Sequence, residues 1–363
     1  MKGMKSKFLA KTKFMAKLLC VCLAALSAFS VAACAKDGAD GDNGKTPANA
    51  PAKVSVTSPD GAPALALVQM IEEGDETVEF NIVNANTITT YVTNTDETKN
   101  SDFCVLPVNA AAKLLGGGEK YQMLGTVTHG NLFIVSKSAE TQFTDKQGLE
   151  TLIGKTVGVI QIANVPGMVF KMILNQYKID FNVLSDGNGV ATDKINLQGI
   201  TDPTLVTSTN KNVDAFVIAE PLVSLRTNAA QNKLYLSGSL QQLYGGEEGY
   251  PQAVIVAKKS FTAKYPEWTE NFIAKLGNAE TYLKTAEAST IITALSSKLT
   301  EGETPAFNAK NLSAETVKNC NVKFVAAQAE KEAVRAVLTG MMGANAPQTS
   351  DEFFYTPGDV AAA

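Results

Sequence analysis

The sequence predicts an α/β fold in two lobes, each a mostly parallel sheet with helices on both faces. Three observations carry that expectation. Residues 54–71 (VSVTSPDGAPALALVQMI) read as a strand, a glycine-containing turn and the start of an amphipathic helix. The same idiom recurs to about residue 130. A second run with matching punctuation then follows, in which 155–160 (KTVGVI) leads through Asn164, Pro166 and Gly167 into another helix.

Taken in order, Val54 and Val56 alternate with polar neighbours, Pro59, Asp60 and Gly61 carry turn chemistry, and Ala64, Leu67, Val68 and Ile71 fall on one helical face. Residues 78–83 (VEFNIV) alternate as a second strand, and 86–94 read as a helix with Ile88, Tyr91 and Val92 inward. A third strand at 101–106 is broken by Pro107 and Asn109, a helix over 110–115 ends at Gly116, Gly117 and Gly118, and 121–127 is extended. In the second run 132–136, 155–160, 194–197, 213–218 and 234–236 read as strands, with short helices at 147–153 and from Asp202 and Pro203. Residues 250–257 (YPQAVIVA) read as a strand returning to the first lobe. From Ser260 onward the pattern is helical, with Phe261, Tyr265, Trp268, Phe272, Leu276 and Tyr282 at three- to four-residue steps and Pro266 restarting the helix. Further helices are expected at 291–299, 314–318 and 331–338, with Phe353, Phe354 and Tyr355 docking the tail and Trp268 in the core.

The first 33 residues hold six lysines and no acid, then an apolar run over 18–29 too short for a comfortable membrane span, then small residues. This is an export signal. Its end, Ser30-Val31-Ala32-Ala33-Cys34, resembles a bacterial lipobox, which implies that Cys34 becomes the lipid-bearing first residue. Residues 35–52 hold Gly, Asp, Asn, Pro and Ala with no large apolar side chain, so 34–52 is expected to be a flexible membrane tether. Without residues 1–33, 26 basic residues face 36 acidic ones, and the acidic balance argues against a nucleic-acid partner.

Cys20 and Cys22 lie in the removed signal, which leaves Cys104 and Cys320 either bridged or, the better reading, as buried free thiols. No Cys/His cluster suggests a metal, and any histidine-based triad would run through His129, the only histidine in the chain. No cofactor is expected.

Several segments, in order and spaced over about 54–270, resemble the substrate-binding lipoproteins of bacterial ABC importers, nitrate/sulfonate/taurine-type branch: SPDGAPALAL, SDFCVLPVNAAAKL, GKTVGVIQIANVPGMVF, VDAFVIAEPLVS and YPQAVIVAKKSFTAKYPEW. The resemblance implies a type II periplasmic-binding-protein fold with the ligand cleft between lobes, domain I at 53–131 plus 247–363 and domain II at 132–246. It implies a non-catalytic protein, most simply a monomer, anchored by lipid to the outer face of the cytoplasmic membrane. Such a protein delivers a small organic solute to ABC permease subunits. Enzymes of pyrimidine and menaquinone precursor synthesis use the same fold, so an enzyme acting on such a small heterocyclic precursor is the alternative.

Carried onto this sequence, the pocket loops are Ser58, Asp60, Gly61 and Ala62; Pro107 and Asn109; Thr128, His129 and Asn131; Ala163, Asn164, Val165 and Gly167; Glu220; and Tyr250. The branch usually has aspartate where Glu220 stands, and no arginine is available in these loops for a bidentate clamp, which weighs against an inorganic oxoanion. Two helix amino termini, near Ala62 and Gly167, suit a carboxylate or sulfonate. Asp60 and Glu220 would favour an amine if they face the cleft; the other reading is that they cap their helices. His129 is either a ligand contact or a structural turn residue, and Tyr250 either stacks on a ligand or packs beside Pro251.

Overall fold

A computed structural model of the protein describes residues 50–184 and 189–358. The export signal, Cys34 and the tether up to residue 49 lie outside the described residues. Twelve strands form two six-stranded sheets. The first lobe opens with β1 (Val54–Pro59), a 3-10 segment (Ala62–Leu67) and α1 (Val68–Glu73), and continues through β2 (Val78–Val83), α2 (Thr90–Thr93), β3 (Phe103–Pro107), α3 (Val108–Leu115) and β4 (Tyr121–Thr128). The chain then builds the second lobe from β5 (Leu132–Ser136), α4 (Lys146–Glu150), β6 (Thr156–Ile160), α5 (Val165–Gln176), β7 (Phe181–Leu184), β8 (Ile195–Ile200), β9 (Ala215–Ala219), α6 (Leu222–Thr227), β10 (Tyr235–Ser239) and α7 (Leu240–Gly245). It returns through β11 (Ala253–Lys258), α8 (Lys259–Lys264), α9 (Pro266–Leu283), α10 (Ala288–Ser296), α11 (Ala314–Asn319), β12 (Val322–Ala326) and α12 (Ala327–Met342).

The strand orders are β12-β4-β11-β3-β1-β2 and β10-β5-β9-β6-β8-β7. The α/β two-lobed architecture is as expected, but the sheets are mixed rather than mostly parallel. In the first, β1 pairs in parallel with β2 and β3, while β11 and β12 run antiparallel to their neighbours. In the second, β6, β7, β8 and β9 pair in parallel and β5 and β10 antiparallel. Part of the cause is topological: a strand that enters a sheet by crossing from the other lobe arrives from the opposite end, and β5 and β11 are those strands, whereas β12 is added antiparallel to β4 at the sheet edge from within the first lobe.

Local departures have physical reasons. The opening helix begins as 3-10 over Ala62–Leu67, where Pro63 removes an N–H and five of the six side chains are buried, so packing rather than an amphipathic stripe sets its form. The helix expected over 86–94 shrinks to Thr90–Thr93, because the Asn84 side chain accepts from Asn86 N–H and turns the chain before it. The carboxyl-terminal stretch is not wholly helical: Val322–Ala326 adds an antiparallel edge strand to β4. The strand expected from Tyr250 starts at Ala253, and Tyr250 and Pro251 belong to the crossing segment.

Apolar burial explains how the lobes hold together. One cluster runs from Leu106 and Val108 in the first lobe through Val157, Val159 and Phe170 in the second, and takes in Val334 and Leu338 of α12. Two outer clusters cover the far faces, one around Leu65, Phe103 and Leu276 and the other around Phe133, Phe216 and Val223. Trp268 stacks on Phe272 at 5.4 Å and is half-buried. Cys104 and Cys320 are free, buried thiols, and burial pushes both well above the ordinary thiol range.

Candidate functional site

The chain passes between lobes at 129–131 and at 249–252, and printed on these two segments is a dense polar seam. Tyr250 N donates to His129 O at 3.3 Å and Gln252 N to Thr128 O at 3.0 Å. The Gln252 and Asn131 amides pair, with Gln252 Nε2 donating to Asn131 Oδ1 at 2.7 Å and Gln252 Oε1 accepting from Asn131 N at 3.1 Å. Asn321 clamps the same point, donating to His129 O at 2.7 Å and accepting from His129 N at 3.0 Å. Gly130 allows this approach: its φ is +94°, and a Cβ there would lie 2.9 Å from the Tyr250 ring.

Within this seam sit polar atoms that nothing among the described residues satisfies. Thr128 Oγ1, both ring nitrogens of His129 and the Tyr250 hydroxyl are buried without a hydrogen-bond partner, and so is Asn109 Oδ1. Val108 N donates to Gln252 O, which brings the Asn109 turn to the same place. Thr128, His129 and Tyr250 are 0, 4 and 1 % exposed. A buried polar atom left unpaired costs about 1–3 kcal/mol, so four such residues on adjoining segments demand a reason. His129 Nε2 lies 3.5 Å from Glu330 Oε2, an ion pair if the ring is protonated but not a hydrogen bond. That carboxylate also accepts from Thr126 Oγ1 at 3.1 Å.

The two acids expected near the cleft are occupied by the chain itself. Asp60 accepts from Gly61 N at 2.8 Å and from Ala306 N at 2.7 Å, fixing a distant loop; burial raises its carboxyl above the usual range, with those bonds opposing. Glu220 follows its helix-capping reading and adds a strut between lobes. It accepts from Ser224 N at 2.9 Å, Ser224 Oγ at 3.0 Å and Asn319 Nδ2 at 3.0 Å. Ser224 Oγ also meets Thr316 Oγ1 at 2.8 Å. Burial raises the Glu220 carboxyl too, against the pull of the Asn319 and Ser224 bonds.

The remaining expected residues surround these. Ser58 is buried at the end of β1, its hydroxyl donating to Pro59 O at 3.1 Å. Gly61, at φ +105°, is the amino-terminal cap of the 3-10 segment that begins with buried Ala62. Pro107 caps α3, and Asn109 Nδ2 reaches Met168 Sδ of α5 at 3.8 Å. Ala163 and Asn164 are exposed, Val165 is half-buried, and Gly167 is pressed so tightly that a Cβ would lie 2.0 Å from Ile162 O. Gln252, Asn321, Asn319, Thr316 and Glu330 were not expected; the amide two residues beyond Tyr250-Pro251 is the one local signal for Gln252. Two surface depressions of about 380 and 410 Å³ lie on the helical outer face of the first lobe, one lined by Glu72 and Thr293 and the other by Trp268 and Lys275. Neither has an unpartnered buried group among its lining residues, so the seam is the stronger candidate.

No protein-family description and no curated protein sequence matches the chain. Solved structures do. An ABC transporter protein from Parabacteroides distasonis is 17 % identical with a TM-score of 0.63, covering 84 % of this chain and 99 % of its own. The periplasmic aliphatic sulphonate binding protein SsuA from Escherichia coli is 12 % identical with a TM-score of 0.56, covering 85 % of this chain and 93 % of its own. The ligand-binding component of an ABC-type import system from Staphylococcus aureus, solved with zinc bound, is 8 % identical with a TM-score of 0.53, covering 83 % and 96 %. The chain has the two-lobed fold of ABC-importer substrate-binding proteins.

Proposed function

We propose that the protein is an exported solute-binding protein that captures a small organic molecule between its lobes and delivers it to an ABC permease. In this reading 53–131 with 247–363 forms one lobe and 132–246 the other. Cys34 carries the membrane lipid, and the tethered body acts as a monomer. The observation that carries the proposal is the unpartnered cluster of Asn109, Thr128, His129 and Tyr250 where the lobes cross. A bound solute that hydrogen-bonds these groups offsets their desolvation, and the same bonds favour the closed arrangement over an open one. The shared fold of importer components supports the reading but does not supply the solute.

Purified, never-refolded protein tests it. A small molecule of defined mass is expected in the acid-released fraction, and adding it back raises the Tm and contracts the scattering envelope. A protein that retains nothing and shows no Tm shift across a broad metabolite panel overturns the capture reading.

A further inference from the structure

Resting on the capture reading, we infer that the cleft takes an uncharged solute carrying both hydrogen-bond donors and acceptors. Four observations converge on this. First, both candidate acids are consumed: Asp60 by Gly61 and Ala306, Glu220 by Ser224 and Asn319. An ammonium group entering the cleft would have to compete with bonds already made. Second, the loops 58–62, 107–109, 128–131, 162–167, 220–221 and 250–251 contain no lysine or arginine, so an anion meets no counter-charge there.

Third, the two helix starts that the resemblance places at the cleft are weakened as anion sites. Each has proline in its first turn, Pro63 in the 3-10 segment and Pro166 in α5, and each proline deletes a backbone N–H that would point at a ligand. Fourth, what does remain unpartnered is chiefly an amide oxygen and two hydroxyls, which carry no charge, together with the ring nitrogens of His129. Asn109 Oδ1 can only accept, so the solute presents an N–H or O–H to it, whereas Thr128 and Tyr250 can donate or accept.

The charged groups around His129 fit the same conclusion. Glu330 lies 3.5 Å from the ring, holds Thr126 and repels an anion. Glu248 and Lys323 pair with each other at 2.7 Å at the exposed rim, where their charges offset.

A charge-resolved retention experiment decides the matter. The protein is incubated with equal concentrations of neutral probes (nicotinamide, uracil, cytosine), anions (nicotinate, ethanesulfonate, lactate) and amines (putrescine, choline), together with neutral, anionic and cationic fractions of a cell extract, and retained compounds are read by native mass spectrometry. Retention confined to neutral compounds is the expected result, with Kd changing less than about twofold between low and high salt because no ion pair is screened. Retained anions or amines overturn the inference while leaving capture intact. Retention of nothing overturns capture itself, and the inference with it.

The retained compound is then titrated into Thr128→Val/Tyr250→Phe, which deletes two unpartnered hydroxyls at nearly constant shape. We expect its affinity to fall roughly tenfold or more with Tm within a few degrees. Unchanged affinity removes these groups from the site. If the double variant unfolds, the single Tyr250→Phe and Thr128→Val proteins supply the same comparison.

Discussion

The two lobes are variations on one plan. In each, three parallel strands (β2-β1-β3 and β8-β6-β9) are followed by the antiparallel strand that has just crossed from the other lobe (β11 and β5), and then by the last strand before the chain leaves (β4 and β10). Equivalent positions can therefore be compared directly. The parallel strand next to the crossing one ends at Pro107 in the first lobe, with Asn109 just beyond it, and at Ala219 in the second, with Glu220 just beyond it. At the first, Asn109 Oδ1 is unpartnered; at the second, Glu220 is fully engaged and ties the lobes through Asn319. The same slot thus holds an unpartnered amide oxygen in one lobe and a strut in the other. The neighbour decides which: α11 lies against Glu220 and offers an amide, whereas Asn109 meets a methionine sulfur.

The largest effect that would break this comparison comes from Glu220→Ala. It leaves buried Ser224 N and half-buried Asn319 Nδ2 without this acceptor and is expected to cost about 2–3 kcal/mol in urea unfolding, against less than about 0.5 kcal/mol for Asn109→Ala. Equal costs would erase the distinction between the strut and the unpartnered amide. The two turn glycines differ in kind. Gly167→Ala places a methyl on Ile162 O and pays in steric overlap, about 2 kcal/mol or more, whereas Gly61→Ala has open space and pays in backbone strain at φ +105° and ψ −153°, about 1–3 kcal/mol, both read from denaturation midpoints.

A smaller effect follows from pH. The native Glu220 carboxyl keeps its proton over a window in which the unfolded chain has lost it, so its contribution is full below the ordinary carboxylate range and declines as pH rises through the raised value. Glu220→Gln should flatten that decline in stability measured from about pH 4 upward. Asp351 has the opposite sign. Lys331 and Arg335 hold its carboxyl below the usual range, so its contribution is present above that range and lost as pH falls, and Asp351→Asn should leave the Glu220 slope unchanged. The smallest change is Tyr250→Phe, which removes an unsatisfied hydroxyl and is expected to leave unfolding free energy within about 0.5 kcal/mol of the parent or slightly above it. A loss near 2 kcal/mol would reveal a structural partner for that oxygen.

Strand periodicity was legible where a strand's apolar face is a local pattern: 78–83, at a sheet edge, and 132–136, inside a sheet, were located to the residue. β12 was not, since VKFVA owes its extended form to pairing with β4, some 200 positions away. The 3-10 opening was also hidden, because burial on nearly all sides leaves no stripe to read.

The sequence by itself determined the α/β alternation, the proline and glycine turns at strand ends, the expectation of export and lipidation, and which loops to compare. Only the tertiary structure decided that Asp60 and Glu220 serve the fold and that Gln252 and Asn131 pair where the lobes cross. It alone left Thr128, His129 and Tyr250 buried without partners. The reason is that turn and strand tendencies reside in neighbouring residues, whereas whether a polar group is satisfied depends on what the rest of the chain brings within about 3 Å of it.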